Sequence, residues 1–416
     1  MTARVLQVVG SLTVGGAERV ALELAAGLAG RGWTMGLLAA DPDTTLDESL
    51  VRRSLRTEAD ERGVTVHRVP FTGITDGPGR ARMARFLVDS GAQLLHVHNR
   101  PQDWQIVTLA ALLGIPAIYT VHSPYAKTKA IHRLIYGAVG RWVPRVICVS
   151  RTVADQTLKM HHLPEGGLQV IYNGIRMDLF VPPVAGDQAR DRLRAEMGFT
   201  GDSFGWVCCA RLADLKGQGF LLDAMAALPQ RSRSRLALAG DGPLEASLKD
   251  QAARLGLGER VRFLGSRRDV PALLAAADGY ACASQVEGHP LSLLEAMATM
   301  RPVVAPRLPA IREIATDGAP LLYGPTIEGK AETHDPAEIA AALLQVEDAP
   351  ERYAAYARAS REHVSRTYSR EVMLDRHEEV YRSILGDRAR RRGSFGGAAL
   401  AALTRVTSQL AMRDFA

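Results

Sequence analysis

The chain has 416 residues, which exceeds a single small module and predicts two or three compact domains. Apolar residues make up 47% and charged residues 23%, so most of the chain can bury a core, and a wholly disordered protein is excluded. Lysine and arginine total 51 against 45 acidic residues, and the net charge of +6 raises the question of an anionic partner.

No segment has the features of export or membrane insertion. The N-terminal MTARVLQVVGSLTVGG lacks the basic and then apolar stretch of a secretory signal, so we expect a cytoplasmic protein. The longest apolar run, Val107 to Val121, contains Gly114 and Pro116 and is too short to cross a bilayer. The cysteines lack metal or disulfide spacing, which predicts reduced core thiols at Cys148, Cys208, Cys209 and Cys282.

Short β-branched runs alternate with amphipathic segments in the first half of the chain, which predicts βα units around a parallel sheet. The segment Ala17 to Arg31 places Val20, Leu24, Ala25 and Leu28 on one helical stripe. We expect a Rossmann-like lobe over residues 1–181. Its predicted strands are Arg4–Val9, Met35–Ala40, Val64–Val69, Leu94–His98, Ala117–Val121, Val146–Val149 and Gln169–Tyr172.

A second βα series follows Asp178 to Ala185, where Pro182 and Pro183 interrupt both helix and strand patterns and predict a hinge. We predict a second Rossmann-like lobe over residues 182–365, a C-terminal helix over 366–387 that packs back on the first lobe, and a basic tail over 388–416. The fold class is α/β, with two parallel-sheet lobes facing across a cleft. The predicted strands are Trp206–Ala210, Arg235–Ala239, Val261–Leu264, Gly279–Ala283, Val303–Ala305 and Leu321–Tyr323.

Three segments carry residues suited to phosphate or sugar. Gly15 and Gly16 join the first strand to the first helix and allow backbone N–H groups to approach a phosphate, although a simple tight turn is the alternative. The spacing is not that of the nicotinamide-dinucleotide fingerprint. Arg211 and Lys216 lie in a loop after a strand, where they can hold a diphosphate or remain solvated surface cations.

The third segment is E-G-H-P-L-S-L-L-E-A-M-A, residues 287–298, a turn leading into a helix. Glu295 lies beside the apolar stripe of that helix, where its carboxylate can accept both hydroxyls of a ribose. Glu287 precedes the turn, whose free backbone N–H groups at His289, Leu291 and Ser292 suit sugar hydroxyls and a phosphate.

Glu287 and Glu295 form an E-x7-E pattern, and with it the chain resembles the retaining glycosyltransferases of family 4, which have the GT-B fold. The resemblance covers roughly residues 4–385. Its further motifs occur in the family's order and are Gly15-Gly16, Asn173-Gly174-Ile175, Arg211 with Lys216, G-D-G-P at Gly240 to Pro243, and F-L-G at Phe263 to Gly265.

The resemblance implies that the lobe over residues 1–181 binds the acceptor and that the lobe over 182–365 binds the nucleotide sugar. It also implies roles for individual residues. Arg211 and Lys216 would hold the donor diphosphate, Glu295 would bind the ribose, and Phe263 to Gly265 would border the base. His122 matches the family's first-lobe histidine near the transferred sugar, although a strand-end histidine without a ligand is the alternative. The implied catalytic group is His122, Arg211, Lys216 and Glu287. The donor site would also include Gly15, Gly16, Asn173, Gly240, Leu264, Gly265, Glu287, Gly288, His289, Pro290 and Leu291, and the acceptor site Asn99, His122 and Tyr125.

The implied reaction moves a sugar from a nucleotide diphosphate sugar, with UDP as the first choice, to a hydroxyl of a small molecule, lipid or glycan. The anomeric configuration is retained by front-face attack, in which the leaving diphosphate helps to remove the acceptor proton. The donor site has no D-x-D motif, so we expect neither metal nor cofactor. A non-hydrolysing nucleotide-sugar epimerase, a phosphorylase that requires pyridoxal phosphate, and a two-lobe sugar-binding protein without catalysis remain alternatives.

The sequence departs from the family pattern at two places. Met300 and Arg301 stand where small or Gly-rich residues usually follow the E-x7-E helix, and Ala310 with Arg312 interrupts the turn before Glu313. Both changes place the local loop geometry in doubt and leave the phosphate-binding residues untouched.

Two further features invite other interpretations. His96 and His98 share one face of a strand, but no third ligand lies nearby, which favours packing or acceptor contact over a metal. The tail over 388–416 has six arginines and one aspartate, so it carries +5 of the +6 and leaves +1 for the rest. Nucleic acid is therefore not an expected partner, whereas the tail could make weak contact with the inner face of a membrane, if it is not simply flexible or packed on a lobe.

Overall fold

The computed structural model describes residues 4–12, 15–40, 55–71, 76–98, 103–123, 143–160, 167–184, 186–315, 321–324 and 334–393. The chain divides into a first unit, residues 1–173 and 370–416, and a second unit, residues 174–369. The chain passes from the first unit to the second after residue 173, before the predicted boundary at 181, so Pro182 and Pro183 belong to the second unit. The chain re-enters the first unit at Arg370, after the predicted start of the last helix at 366.

The first unit contains a seven-stranded parallel sheet in the order β3-β2-β1-β4-β5-β6-β7. Its strands are β1 (Arg4–Val9), β2 (Thr34–Ala39), β3 (Thr65–Arg68), β4 (Leu94–His98), β5 (Ala117–Val121), β6 (Val146–Cys148) and β7 (Leu168–Val170). The helices that alternate with them are α1 (Gly16–Ala29), α2 (Leu55–Glu61), α3 (Gly77–Asp89), α4 (Asp103–Leu112) and α5 (Arg151–Met160). The apolar stripe predicted for α1 is buried at every position, which confirms its helical period.

The second unit contains a six-stranded parallel sheet in the order β10-β9-β8-β11-β12-β13. Its strands are β8 (Phe204–Cys209), β9 (Ser234–Ala239), β10 (Val261–Gly265), β11 (Gly279–Ala281), β12 (Val303–Pro306) and β13 (Leu321–Tyr323). Its helices are α6 (Gln188–Glu196), α7 (Gln218–Ala227), α8 (Glu245–Arg254), α9 (Val270–Ala276), α10 (Leu291–Ala298), α11 (Pro309–Ile314), α12 (Pro336–Asp348) and α13 (Pro350–Thr367).

Both sheets confirm the predicted α/β class. Each predicted strand is present, and the differences are at the ends: β8 begins at Phe204 instead of Trp206, and β11 ends at Ala281 instead of Ala283. Continuous apolar runs predict such strands well because a sheet covered on both faces buries every residue, as β8 does.

The last helix, α14 (Arg370–Gly393), belongs to the first unit and packs against α1. Arg31, which follows the C-cap of α1, forms ion pairs with Asp375 at 2.6 Å and Glu378 at 3.1 Å. The Trp33 indole donates a hydrogen bond to Glu378 at 3.0 Å. The helix continues past 387 into the predicted tail, and residues 394–416 lie outside the described residues.

The predicted core thiols are buried and free. Burial raises the pKa of Cys148 to about 12, so this thiol stays protonated at neutral pH. In the described ranges, no helix combines the length and the apolar character that crossing a membrane requires.

The first departure from the family pattern, Met300 with Arg301, lies just after the end of α10. Arg301 N donates to Ala296 O at 3.0 Å and Met300 N to Met297 O at 3.1 Å, which is the bonding of a Schellman motif. Met300 occupies its left-handed position with φ 57°, and among the described residues it is the one non-glycine with positive φ. Glycine is preferred here because a Cβ strains this conformation.

Met300→Gly should therefore stabilise the protein. We expect the free energy of unfolding to rise by about 1 kcal/mol, because the left-handed strain is removed. Urea unfolding of the second unit, followed by tryptophan fluorescence, measures the change. Ala253→Gly in the exposed last turn of α8 is the control and should lose about 1 kcal/mol. Equal losses in both variants would contradict the assigned strain.

The second departure also has a regular structure. Leu308 precedes Pro309 at the first position of α11, and the helix continues through Arg312 to Ile314. Ala310 is buried, and the Glu313 carbonyl accepts a hydrogen bond from the Tyr368 hydroxyl at 3.3 Å. The altered turn is thus built as a short packed helix.

Candidate functional site

The predicted donor-site residues of the second unit follow the carboxyl ends of neighbouring strands. Arg211 and Lys216 follow β8, Gly240 follows β9, Gly265 ends β10, and Glu287 follows β11. Because parallel strands end on the same edge of a sheet, these loops gather at one edge.

Backbone contacts hold three of these loops together. Gly240 N donates to Gly265 O at 2.8 Å, and Leu212 N donates to Asp241 O at 2.8 Å. Gly240 has φ 150°, and a Cβ there would collide with the Ala210 carbonyl. Glycine is therefore required, because the loop after β9 lies directly against the loop after β8.

Lys216 and Glu287 form the central ion pair of this edge. Lys216 Nζ lies 2.6 Å from Glu287 Oε1, and Gln285 N donates to Leu215 O at 2.9 Å, which ties the two loops. Burial alone would lower the pKa of Lys216, but the charge and hydrogen bond of Glu287 outweigh it and raise that pKa. Lys216 is therefore a protonated, positioned ammonium at neutral pH.

Arg211 supplies the positive charge that is not balanced locally. Its side chain is exposed and forms no ion pair with a described carboxylate, whereas Glu287 neutralises Lys216. The buried Gln218 donates from Nε2 to the Arg211 carbonyl at 2.9 Å and fixes the backbone there. Gln218 is not among the predicted site residues, although a polar residue in the otherwise apolar first turn of α7 is a detectable signal.

The segment from Glu287 to Leu291 forms the turn before α10. Pro290 is the N-cap, and no side-chain hydrogen bond caps this helix, so its first-turn N–H groups suit an anion. The Tyr280 hydroxyl donates to Ser292 Oγ at 2.8 Å. The buried His289 ring packs edge-on against Tyr368 at 5.1 Å, and burial lowers its pKa to about 3, which leaves the ring neutral.

Glu295 is 5% exposed on α10. Burial raises the pKa of the Cys209 thiol at the end of β8, and the charges of Cys208 and Glu295 raise it further. A nearly buried carboxylate beside this edge has the acceptor oxygens that a ribose diol needs.

Gly15 and Gly16 lie at the start of α1 in the first unit, next to an acidic side chain. Gly15 is the N-cap of α1, and a Cβ there would collide with the Glu18 carboxylate. Glu18 thus supplies a negative charge at the helix terminus where a phosphate was predicted. A Cβ at Gly16 would meet nothing within 4 Å.

The acceptor residues are only partly described. His122 follows β5, and its Nε2 lies 2.8 Å from His98 Nδ1. Asn99 and Tyr125 lie outside the described residues. Asn173 is buried and is the last residue of the first unit before the chain crosses.

His96 and His98 are buried members of a hydrogen-bond network. In the part of the chain that the structure describes, no group of three or more His, Cys, Asp or Glu side chains is arranged to hold a metal.

Comparison with known proteins adds two family matches. Residues 14–179 match the model described as Glycosyltransferase Family 4, and residues 204–348 match Glycosyl transferases group 1.

The sequence identity to individual relatives is low. An uncharacterized glycosyltransferase of Methanocaldococcus jannaschii is 27% identical over 53% of this chain and 59% of its own length. The chain thus spans about three fifths of that curated relative. D-inositol 3-phosphate glycosyltransferase of Saccharomonospora viridis is 28% identical over 66% of this chain and 67% of its own. The crystal structure of Anabaena HepE with UDP and glucose superimposes with a TM-score of 0.77, 21% identity, and coverage of 92% of this chain and 100% of HepE. This likeness confirms the predicted GT-B fold.

Proposed function

The chain belongs to the family 4 glycosyltransferases, and from this membership we propose that it transfers a sugar from a nucleotide diphosphate sugar to an acceptor hydroxyl. The observation that carries the proposal is the Lys216–Glu287 pair beside the exposed Arg211 at the carboxyl edge of the second sheet. This arrangement offers one fixed and one mobile cation to a diphosphate.

The leaving diphosphate gains negative charge as the bond to the sugar breaks. Arg211, Lys216 and the first-turn N–H groups of α10 would stabilise that charge, because preorganised donors act most strongly where charge develops. Glu287 would keep Lys216 protonated and oriented. These groups supply charge that a metal supplies in other transferases, so we propose a reaction without metal or further cofactor.

We propose retention of the anomeric configuration. No protein nucleophile is needed when the leaving diphosphate oxygen takes the proton of the attacking hydroxyl on the same face of the sugar. The anomeric configuration of the product, measured by NMR, tests this step.

UDP is the first donor to test, and the bound UDP and glucose of HepE make UDP-glucose the first probe. A thermal-shift screen against UDP-, GDP-, ADP- and dTDP-sugars identifies the donor, because a ligand of the native state raises its stability. Candidate acceptors are then supplied as small molecules, lipids and glycans.

Incubation of the protein with the donor, with and without an acceptor, distinguishes the possible functions. Nucleotide release that depends on the acceptor, with a glycosylated product, supports the transferase. Release without acceptor and with an altered sugar indicates an epimerase, and a requirement for pyridoxal phosphate indicates a phosphorylase. Binding without release under any condition indicates a sugar-binding protein.

Glu295→Gln should weaken donor binding. We expect the dissociation constant of the nucleotide to rise by about tenfold to a hundredfold, because hydrogen bonds to a carboxylate are stronger than those to an amide. Isothermal titration with UDP measures the effect. Glu362→Gln on the exposed side of α13 is the matched control and should leave binding unchanged. Equal affinities in both variants would remove Glu295 from the site.

A further inference from the structure

A continuous chain of hydrogen-bonded side chains runs through the first unit and ends at His122. Gln7, His96, His98, Thr120 and Tyr381 are each at most 2% exposed, whereas His122 is partly exposed. We call this set the imidazole network. Its contacts are His122 Nε2 to His98 Nδ1 at 2.8 Å, His98 Nε2 to Gln7 Oε1 at 2.8 Å, Gln7 Nε2 to Tyr381 OH at 2.9 Å, Tyr381 OH to His96 Nδ1 at 2.6 Å, and His96 Nε2 to Thr120 Oγ1 at 2.6 Å.

The histidines of this network are neutral. Burial lowers the pKa of His96 and His98 well below the ordinary value, and the neighbouring rings lower it further. Burial likewise lowers the pKa of His122 to about 3, with a smaller contribution from His377. A neutral imidazole carries one N–H, so each ring donates from one nitrogen and accepts at the other.

The Gln7 carbonyl then fixes the direction of the bonds. Because Gln7 Oε1 can only accept, the proton of His98 lies on Nε2, and His98 Nδ1 accepts from His122 Nε2–H. The remaining nitrogen of His122, Nδ1, is unprotonated. It makes no hydrogen bond with any residue that the structure describes.

Tyr381 holds the other end of the Gln7 amide. Its hydroxyl accepts from Gln7 Nε2 and donates to His96 Nδ1, and His96 Nε2–H donates to Thr120. If the amide were turned round, every bond would reverse and His122 Nδ1 would carry a proton. His377 lies beside the network, with its ring centroid 5.4 Å from that of His96, and its Nδ1 donates to the Met373 carbonyl at 2.8 Å.

We propose that Gln7 and Tyr381 are positioning residues that set the tautomer of His122, so that His122 Nδ1 accepts a hydrogen bond from a substrate hydroxyl. The identity of that hydroxyl rests on the proposed function, whereas the tautomer does not. The proposal gives the C-terminal helix α14 a role in orienting the first unit's histidine, in addition to packing on α1.

The tautomer is measured without any substrate. In protein labelled with ¹⁵N-histidine, long-range ¹H–¹⁵N spectra distinguish protonated from unprotonated ring nitrogens, and His122→Gln identifies the His122 signals. We expect His122 protonated on Nε2 in the wild type and a mixture of tautomers in Tyr381→Phe. A wild-type His122 protonated on Nδ1, or an unchanged tautomer in Tyr381→Phe, would overturn the proposal.

Kinetics supply the second readout. Tyr381→Phe should lower kcat for sugar transfer by about three- to tenfold, the effect of one hydrogen bond, and leave the KM of the donor unchanged. Gln7→Met, of similar size, should act in the same direction. The control Tyr353→Phe removes the hydroxyl of another buried helical tyrosine and should change neither constant. Thermal midpoints establish that the variants are folded.

The two proposals fail separately. A wild-type protein that binds a nucleotide sugar but transfers nothing contradicts the proposed function, and the spectra still decide the tautomer. Normal transfer together with an unchanged kcat in folded Tyr381→Phe and Gln7→Met contradicts the positioning role alone.

Discussion

Lys216→Met is expected to lower kcat for sugar transfer by about 10²- to 10³-fold, the usual effect of removing one preorganised donor to developing charge. Methionine matches the lysine side chain as far as Cε and removes the ammonium that lies 2.6 Å from Glu287. Steady-state kinetics at saturating donor measure the loss.

The chain contains a matched control for this variant. Lys249 forms an exposed pair with Glu245 at 2.7 Å within α8, and Lys249→Met should leave kcat unchanged, because exposed ion pairs are weak. If Lys216→Met retained wild-type turnover while Lys249→Met did the same, Lys216 would have no part in the reaction.

Glu287→Gln should lower kcat by about tenfold to a hundredfold and change its pH dependence. In the wild type, Glu287 raises the pKa of Lys216 against the opposing effect of burial. The glutamine removes the raising charge and leaves the burial, so the pKa of Lys216 falls. Activity that needs the ammonium is lost as pH rises through this pKa, so the alkaline decline of kcat should move to lower pH.

A kcat profile from neutral to alkaline pH tests that shift. Glu245→Gln, the matching change in the exposed pair, should leave the profile in place. An alkaline decline at the same pH in Glu287→Gln and wild type would show that Glu287 does not control the protonation of Lys216 in turnover.

The sequence predicts the sheets well because buried parallel strands depend on local patterns, and it places the predicted donor residues after those strands. A buried parallel strand such as β8 is a continuous apolar run, and Arg211 and Lys216 follow it directly. The division before Gly174 lies ahead of the predicted boundary at 181, because Pro182 and Pro183 signal a chain break without saying which unit the break belongs to.

The imidazole network could not be predicted in this way. Gln7 is visible in the sequence as a polar residue inside the apolar run of β1, but its partner Tyr381 is 374 positions away. No periodicity joins such residues, since their contact arises from the docking of α14 and not from local propensity. The Glu18 carboxylate at Gly15 was missed for a related reason, because a side-chain rotamer decides it.

The return of the chain at Arg370 has a consequence for biosynthesis. A ribosome releases the β-strands of the first unit early, yet α14, which covers α1 and bonds Gln7, emerges only after the whole second unit has been made. Domains generally fold in the order of their synthesis, but here the second unit can finish folding before the first has all its residues. Until then His96 of β4 and Gln7, which bonds His98, lack their Tyr381 partner, so the first unit should be completed only after the second unit has been synthesised.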